Sequence, residues 1–482
     1  MTKRVIIIGN HPIKNGLISQ YESKGFVVGE RQELLAEYIS IGDYDELCLL
    51  SGEGEDDKAI ALLAQLAVGY DVEAHGGKRL VCHLMVQKNH TLRMLETCDL
   101  CNAVKKKLDV YPFTMEAVWS RNIVLDYEPI TLQSEKHVHL VIFGMSGVVE
   151  TIAIQAAHVA HYPNYVRNHS LRTRITMICR NAESLCESFI RRYQHLFDNS
   201  YYRIVKPSEE KAVVKFHKPM YEGNREDFVD VEWEFVEAET WNADVREKLK
   251  LWAKDEKQLL TVVMADSDEN KNAAETLYLP NEVHESATPI YIYKQQNEGY
   301  DVTLPLVRMA KNVKYVYDQC YKQNDKEWSG KILWSVEIDK EESERLWAEE
   351  SNVKRMSCIY NAMTIPTKMR SLGLDENDWD KFYDIPQQDI EIMAQVEHNR
   401  WSVEELILGF RPCTDEEEEK IAADVKTQKA VYKARKIHYD LRAYNDLRPD
   451  GTGKPVQVYD LCLTSCLPLI AKAFADEKGG EA

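Results

Sequence analysis

Two stretches of this chain follow the same course. In VIIIGNHPIKNG an apolar run, Val5 to Ile8, meets Gly9 and a turn that reaches Gly16 before a short helix. In VHLVIFGMSGVVETIA the run Val138 to Phe143 meets Gly144, turns through Ser146 and Gly147, and enters a helical pattern. A short, continuously apolar run closed by glycine and followed by helical spacing is a buried strand feeding a crossover helix. Crossover helices join parallel strands. The chain is thereby constrained to parallel α/β units, and the restart at Val138 marks a second one.

The intervening segments fit this scheme. Phe26–Gly29, Glu46–Leu50 and Arg79–Val86 read as further strands of the first unit, with a helix over Lys58–Tyr70. Arg174–Cys179, Leu259–Ala265 and Pro289–Tyr293 read as strands of the second, with helices over Glu183–Phe197 and Asn270–Tyr278. The charged, aromatic stretch Tyr201–Ala253 shows no clear pattern. From about Ser343 the periodicity is helical, chiefly over Met356–Leu372 and Gln388–Gly409. The expected class is α/β plus all-α. One Rossmann-like unit spans 1–130 and a second spans 137–340, joined by the polar Thr131–Lys136; a small helical domain covers 343–482. Three domains suit a chain of 482 residues.

Charge narrows the function. With 60 Lys and Arg against 79 Asp and Glu, the net charge is −19, the wrong sign for a surface that tracks phosphodiester backbones. Direct DNA binding is not expected. No run approaches the ~18 apolar residues of a membrane span, and Val5–Ile8 is too short for a secretory leader's apolar segment. The 11 cysteines are scattered without a disulfide spacing, as in a reducing compartment. These features point to the cytoplasm.

The two glycine turns are the candidate anion sites, because a helix emerging from such a turn offers free backbone N–H groups and the positive end of its dipole. In the first, Gly9, His11, Lys14 and Gly16 are the candidates, His11 and Lys14 adding positive charge. Gly9 and Gly16 are seven apart, which matches neither the dinucleotide fingerprint nor a P-loop; a plain strand-to-helix loop fits equally. In the second, Gly144, Ser146, Gly147 and Arg180 are the candidates. Of the three fingerprint glycines only Gly144 is present, with Ser146 and Val149 at the other two places.

The segment HVHLVIFGMSGVVETIAIQAAHVAHYPN followed by RTRITMICRNAE resembles the TrkA-N family of nucleotide-binding domains. The resemblance implies a ribose-binding acid at the end of the second strand, where Cys179 stands, followed by Arg180. NAD in its usual mode is therefore not expected, and Arg180 would favour a phosphate-bearing ligand. A ligand-free packing unit is the alternative.

AQVEHNRWSVEELILGF, Ala394 to Phe410, and KIHYDLRAYNDL, Lys436 to Leu447, resemble the ryanodine-receptor (RyR) repeat as it occurs in bacterial proteins. The Ser351–Leu374 segment resembles its helical lead-in. His398, Arg400, Trp401, His438 and Tyr444 would line an aromatic, cationic pocket, with stacking on the rings and Arg400 on a phosphate; core packing of Trp401 and Tyr444, a bond from His398 to a backbone carbonyl and a surface ion pair of Arg400 are the competing readings. The resemblance implies a non-catalytic sensor of a nucleotide-like small ligand. The alternatives are an NAD(P)- or nucleotide-using enzyme and a structural adaptor, and a homodimer or protein partner fits any of these.

No nucleophile elbow or metalloprotease motif is present, so no catalytic residue is assigned. Cys98-x-x-Cys101 is one cysteine pair where a closed zinc site needs four ligands, and no metal is expected. Asp266, Asp268 and Glu269 read as a helix cap and first turn, and Cys462 and Cys466 as core thiols.

Overall fold

The computed structural model describes residues 2–35, 41–125, 130–207, 213–220, 226–294, 300–302, 305–322, 337–375, 378–451 and 453–471. The chain divides into two compact units. The first comprises Met1–Asn122, Lys294–Lys311 and Lys340–Ile359; the second comprises Ile123–Tyr293, Asn312–Asp339 and Tyr360–Ala482.

The first unit is built on five parallel strands: β1 (Arg4–Ile8), β2 (Val27–Arg31), β3 (Glu46–Leu50), β4 (Leu80–Met85) and β5 (Leu108–Phe113). Their order is β2-β1-β3-β4-β5, the flavodoxin-like doubly wound order, so the strand sequence reverses between β1 and β3. Val5, Ile7 and Ile8 are fully buried because helices cover both faces of such a sheet. Two later segments return to this unit. Tyr300 stacks on Phe113 with centroids 3.7 Å apart and bonds His83 Nδ1 at 2.7 Å. Arg355 donates to Asp109 at 3.0 Å.

The second unit carries seven strands: β6 (His137–Phe143), β7 (Thr173–Cys179), β8 (Tyr201–Lys206), β9 (Val213–His217), β10 (Val231–Glu237), β11 (Gln258–Met264) and β12 (Ile290–Ile292). The order is β12-β11-β6-β7-β10-β8-β9, parallel except for the β8–β9 hairpin. With β10 taken as the third core strand, this is the Rossmann arrangement with a hairpin added at one edge, and its switch point lies between β6 and β11.

The stretch without a clear sequence pattern thus holds three strands. In β10 the apolar residues Val231, Trp233 and Phe235 alternate with Glu232 and Glu234. Trp233 and Phe235 face an aromatic cluster, with Phe197 5.0 Å from Trp233 and Phe189 5.8 Å from Phe235. Glu234, on the other face, is buried yet satisfied, by Thr176 Oγ1 at 3.1 Å and Arg203 at 3.1 Å. Internal partners let a central strand carry glutamates.

The helix Gln387–Ile407 packs inside this second unit, against Gly147–Val159, Pro163–Arg167, Gln194–Asp198 and Gln457–Ser465. His158 stacks on Tyr360 at 3.9 Å. The helical segments after Tyr360 share one compact body with the Rossmann-like sheet.

Candidate functional site

At both switch points the strand exit is a glycine with positive φ, +121° at Gly9 and +135° at Gly144. A Cβ on Gly9 would lie 2.1 Å from the Leu50 carbonyl oxygen; on Gly144 it would lie 2.7 Å from the Ala265 carbonyl carbon and the Asp266 nitrogen. Each glycine is therefore fixed twice, by backbone conformation and by the neighbouring strand end.

In the first unit the remaining candidates separate. The helix begins at Lys14, so Gly16 lies inside it rather than ahead of it as the sequence suggested. Lys14 Nζ reaches Glu30 at 3.2 Å and the Arg31 carbonyl at 3.2 Å, at the end of β2. His11 Nδ1 accepts from Ile13 N at 3.3 Å, and burial holds its imidazole below the ordinary histidine range. Lys14 is committed to β2, and His11 offers little positive charge at neutral pH. The sequence reading passed over Asp56. Its carboxylate takes Ser51 Oγ at 2.7 Å, Gln87 N at 2.8 Å and Lys88 N at 3.1 Å, tying the loops after β3 and β4 together.

In the second unit the candidates converge on one edge. Ser146 caps the helix Gly147–Val159, accepting from Val148 N at 3.2 Å, and donates to the Ala265 carbonyl at 2.6 Å. The hydroxyl joins the two sides of the switch point. Arg180 leaves the end of β7 with its side chain 64% exposed and pairs with Glu239, from the loop after β10. Its guanidinium lies 6.0 Å from the ring of Trp241, a residue 48% exposed. Tyr278 continues the aromatic surface at 6.4 Å. Cys179 is buried, and burial raises its thiol to about 11. It is neutral at physiological pH and cannot replace a ribose-binding carboxylate. Glu239 and Trp241 went unnoticed because they fall in the stretch whose strands the sequence pattern hides. Asp268 caps the helix Glu269–Thr276, accepting from Asn270 N and Lys271 N, and Asp266 binds Lys271 at 2.7 Å; this bears out the cap reading.

The C-terminal candidates divide. His398, Trp401, His438 and Tyr444 form one aromatic cluster. Trp401 lies 4.9 Å from His438 and 5.5 Å from His398, and Tyr444 lies 5.8 Å from His398. His398 Nε2 donates to the Arg442 carbonyl at 2.9 Å, and Nδ1 lies 3.3 Å from Asp460. Burial alone would lower the His398 imidazole, but Asp460 more than offsets this and raises it. His438 is driven well below the usual range by burial, with Lys433 and Lys429 adding to the effect.

Arg400 points elsewhere. It is 2% exposed and lies between two carboxylates of its own helix, donating to Glu397 at 2.9 and 3.1 Å and to Glu404 at 2.7 Å. Lys368, from the helix Asn352–Ser371, completes the group at 2.5 Å from Glu397. This corrects both readings of Arg400: it is neither a surface ion pair nor open to a phosphate, because the spacing Glu397-x-x-Arg400-x-x-x-Glu404 puts all three on one buried face. Burial opposes ionisation of Glu397, yet Arg400 and Lys368 hold its carboxyl at about 2. Burial weakens the Lys368 ammonium, and with all four groups ionised the cluster is neutral.

Cys462 and Cys466 are buried, as the core reading has it, whereas Cys98 and Cys101 are exposed. Among the described residues no helix is long and apolar enough to cross a membrane. No protein-family model matches the chain, and a comparison with curated proteins finds no match.

Proposed function

We propose that the protein is a non-catalytic sensor that binds a nucleotide-like small molecule at the carboxyl edge of the β6–β12 sheet. One observation carries this reading: at the β6/β11 switch point a capped helix N-terminus shares the strand-end edge with the exposed Trp241 ring. Ligands of open parallel sheets bind at such switch points. A phosphate suits the helix N-terminus, and a planar base suits an exposed indole. The ordinary NAD mode is disfavoured by neutral Cys179 and by Val149, fully buried where the third fingerprint glycine would stand. In this reading the second sheet is a TrkA-N-like unit, and the RyR-like helical segments, packed on the same body, pass on the bound state.

Native mass spectrometry of gently purified protein tests it first, since a co-purified nucleotide is expected. Calorimetric titration with ATP, ADP-ribose and NAD follows, with NAD the weakest. Trp241→Ala should weaken binding of the retained ligand at least tenfold. A chain that carries nothing and binds none of the three is an adaptor, and the reading fails.

A further inference from the structure

Two consecutive helices of the second unit, Asp415–Ala423 and Val425–Ala434, divide their charge by sign. From Asp415 to Lys436 there are six acids and six cations. All six acids precede Val425, and five of the six cations follow it. The whole chain carries −19, so a neutral stretch sorted in this way departs from its average.

The inner faces of the two helices are closed. Ile421 and Tyr432 share a small core with Cys413, Ile437 and Tyr439. Glu417 is held by Arg411 at 2.7 Å, Glu418 by Arg442 at 2.8 Å and Lys429 by Asp440 at 2.6 Å. The outer faces keep the rest. Asp415, Glu416 and Glu419 are exposed on the first helix, and Lys426, Lys433, Arg435 and Lys436 are exposed on the second or just after it. Glu416 pairs with Lys420 of its own helix at 2.6 Å, both well exposed, an arrangement worth little and readily exchanged. Among the described residues no acid forms an ion pair with the four exposed cations. Val431, 47% exposed, adds apolar surface beside them.

This pattern selects the partner. A wholly anionic one, whether an acidic protein, a nucleic acid or a lipid surface, gains the four cations but meets the acids alongside them. A wholly cationic one meets the reverse. A face with adjoining strips of both signs matches a face with the same strips in the opposite order. A second copy of this chain, rotated by half a turn about an axis running between the two helices, presents that order. In 0.15 M salt the Debye length is about 8 Å, so the remote negative charge of each chain is largely screened while close contacts are not.

We propose that this helix pair is the face through which the protein binds a second copy of itself, the acidic helix of each protomer lying on the basic helix of the other. At 1.5 Å per residue the helices are about 14 and 15 Å long. The contact therefore falls at the small end of specific interfaces, and the dimer is weak and reversible. The proposal is independent of the carboxyl-edge reading.

Sedimentation velocity of the full chain, from about 5 to 300 µM in 0.15 M salt, tests it. The parent should pass from monomer toward dimer across this range. Glu416→Lys/Glu419→Lys turns the acidic strip basic, and Lys426→Glu/Lys433→Glu/Arg435→Glu turns the basic strip acidic. Each variant alone sets like charge against like and should associate at least tenfold more weakly than the parent. Mixed one to one, the two variants set opposite charges together along both strips and should associate within about threefold of the parent. Lys426→Ala/Lys433→Ala removes charge without reversing it; it should weaken association at least threefold with an unchanged urea midpoint, and it decides the matter if a charge-reversed variant fails to fold. The proposal is overturned if the parent stays monomeric at 300 µM, if the variants associate as the parent does, or if the folded charge-reversed variants do not associate when mixed.

Discussion

Replacing Arg400 with alanine removes five donors from the centre of a buried four-charge cluster. Glu397 keeps Lys368 at 2.5 Å but loses its contacts at 2.9 and 3.1 Å, and Glu404 loses one at 2.7 Å. Breaking a buried pair from one side destabilises by about 3–5 kcal/mol, because the remaining charge stays desolvated. A second route gives a similar size. The Glu397 carboxyl stands at about 2 when folded, held there by Arg400 and Lys368 together, against an ordinary value near ~4.3, and two units or so amount to roughly 3 kcal/mol, an upper bound on the share of Arg400. That contribution is complete above the unfolded value and is lost as pH falls toward 2. Arg400→Ala should therefore lower the ligand-free unfolding free energy by about 3 kcal/mol at pH 7. It should also flatten the loss of stability between pH 5 and pH 2. Urea unfolding followed by tryptophan fluorescence, at pH 7 and down the acid limb, measures both. A loss below ~1 kcal/mol, the size of a surface pair, with an unchanged acid limb would refute the argument.

Other outcomes follow from the same geometry. Burial raises Glu405 to about 7, so the folded state holds a proton there that the unfolded state releases near ~4.3. Wild-type stability should fall as pH rises from about 4 to 7 on this account, and Glu405→Gln should remove that slope and gain up to ~3 kcal/mol at pH 8, read by urea titration at several pH values. Gly144→Ala meets both the +135° φ and the Ala265 backbone at 2.7 Å; a loss of roughly 2 kcal/mol or more is expected in chemical denaturation, and parental stability would show that the turn can relax. Ser146→Ala should lose about 1–2 kcal/mol through the cap and the Ala265 bond, whereas Arg180→Ala, exposed and paired with Glu239, should change the unfolding midpoint hardly at all.

Much of the sheet was legible because both-face burial writes β1, β3, β4, β6, β7 and β11 as mainly apolar runs. The strand β10 was not, since its glutamates are satisfied by Arg203, Thr176 and Arg174, residues remote in sequence. The order of the strands is set by long-range pairing, which local pattern does not encode. At the C-terminal cluster, the residue types that meet around Trp401 were readable. The direction of Arg400 was readable too, from its three- and four-residue spacing to Glu397 and Glu404, but its proximity to Trp401 drew the reading toward a ligand. Lys368 completes the cluster from another helix, and no spacing announces it.

The position of β10 bears on how the protein comes to be made. It lies between β7 and β8, two strands synthesised before it. The second sheet therefore cannot grow by simple addition as the chain leaves the ribosome. Until Glu237 has emerged, β7 presents an open edge and the β8–β9 hairpin has no sheet to join, with Phe189 and Phe197 lacking the Trp233 and Phe235 rings they later contact. Insertion of a central strand into a gap between earlier elements is a long-range step, and long-range strand pairing is slow. In this interval the open β7 edge and the uncovered aromatic rings expose the chain to misassociation and to chaperone capture.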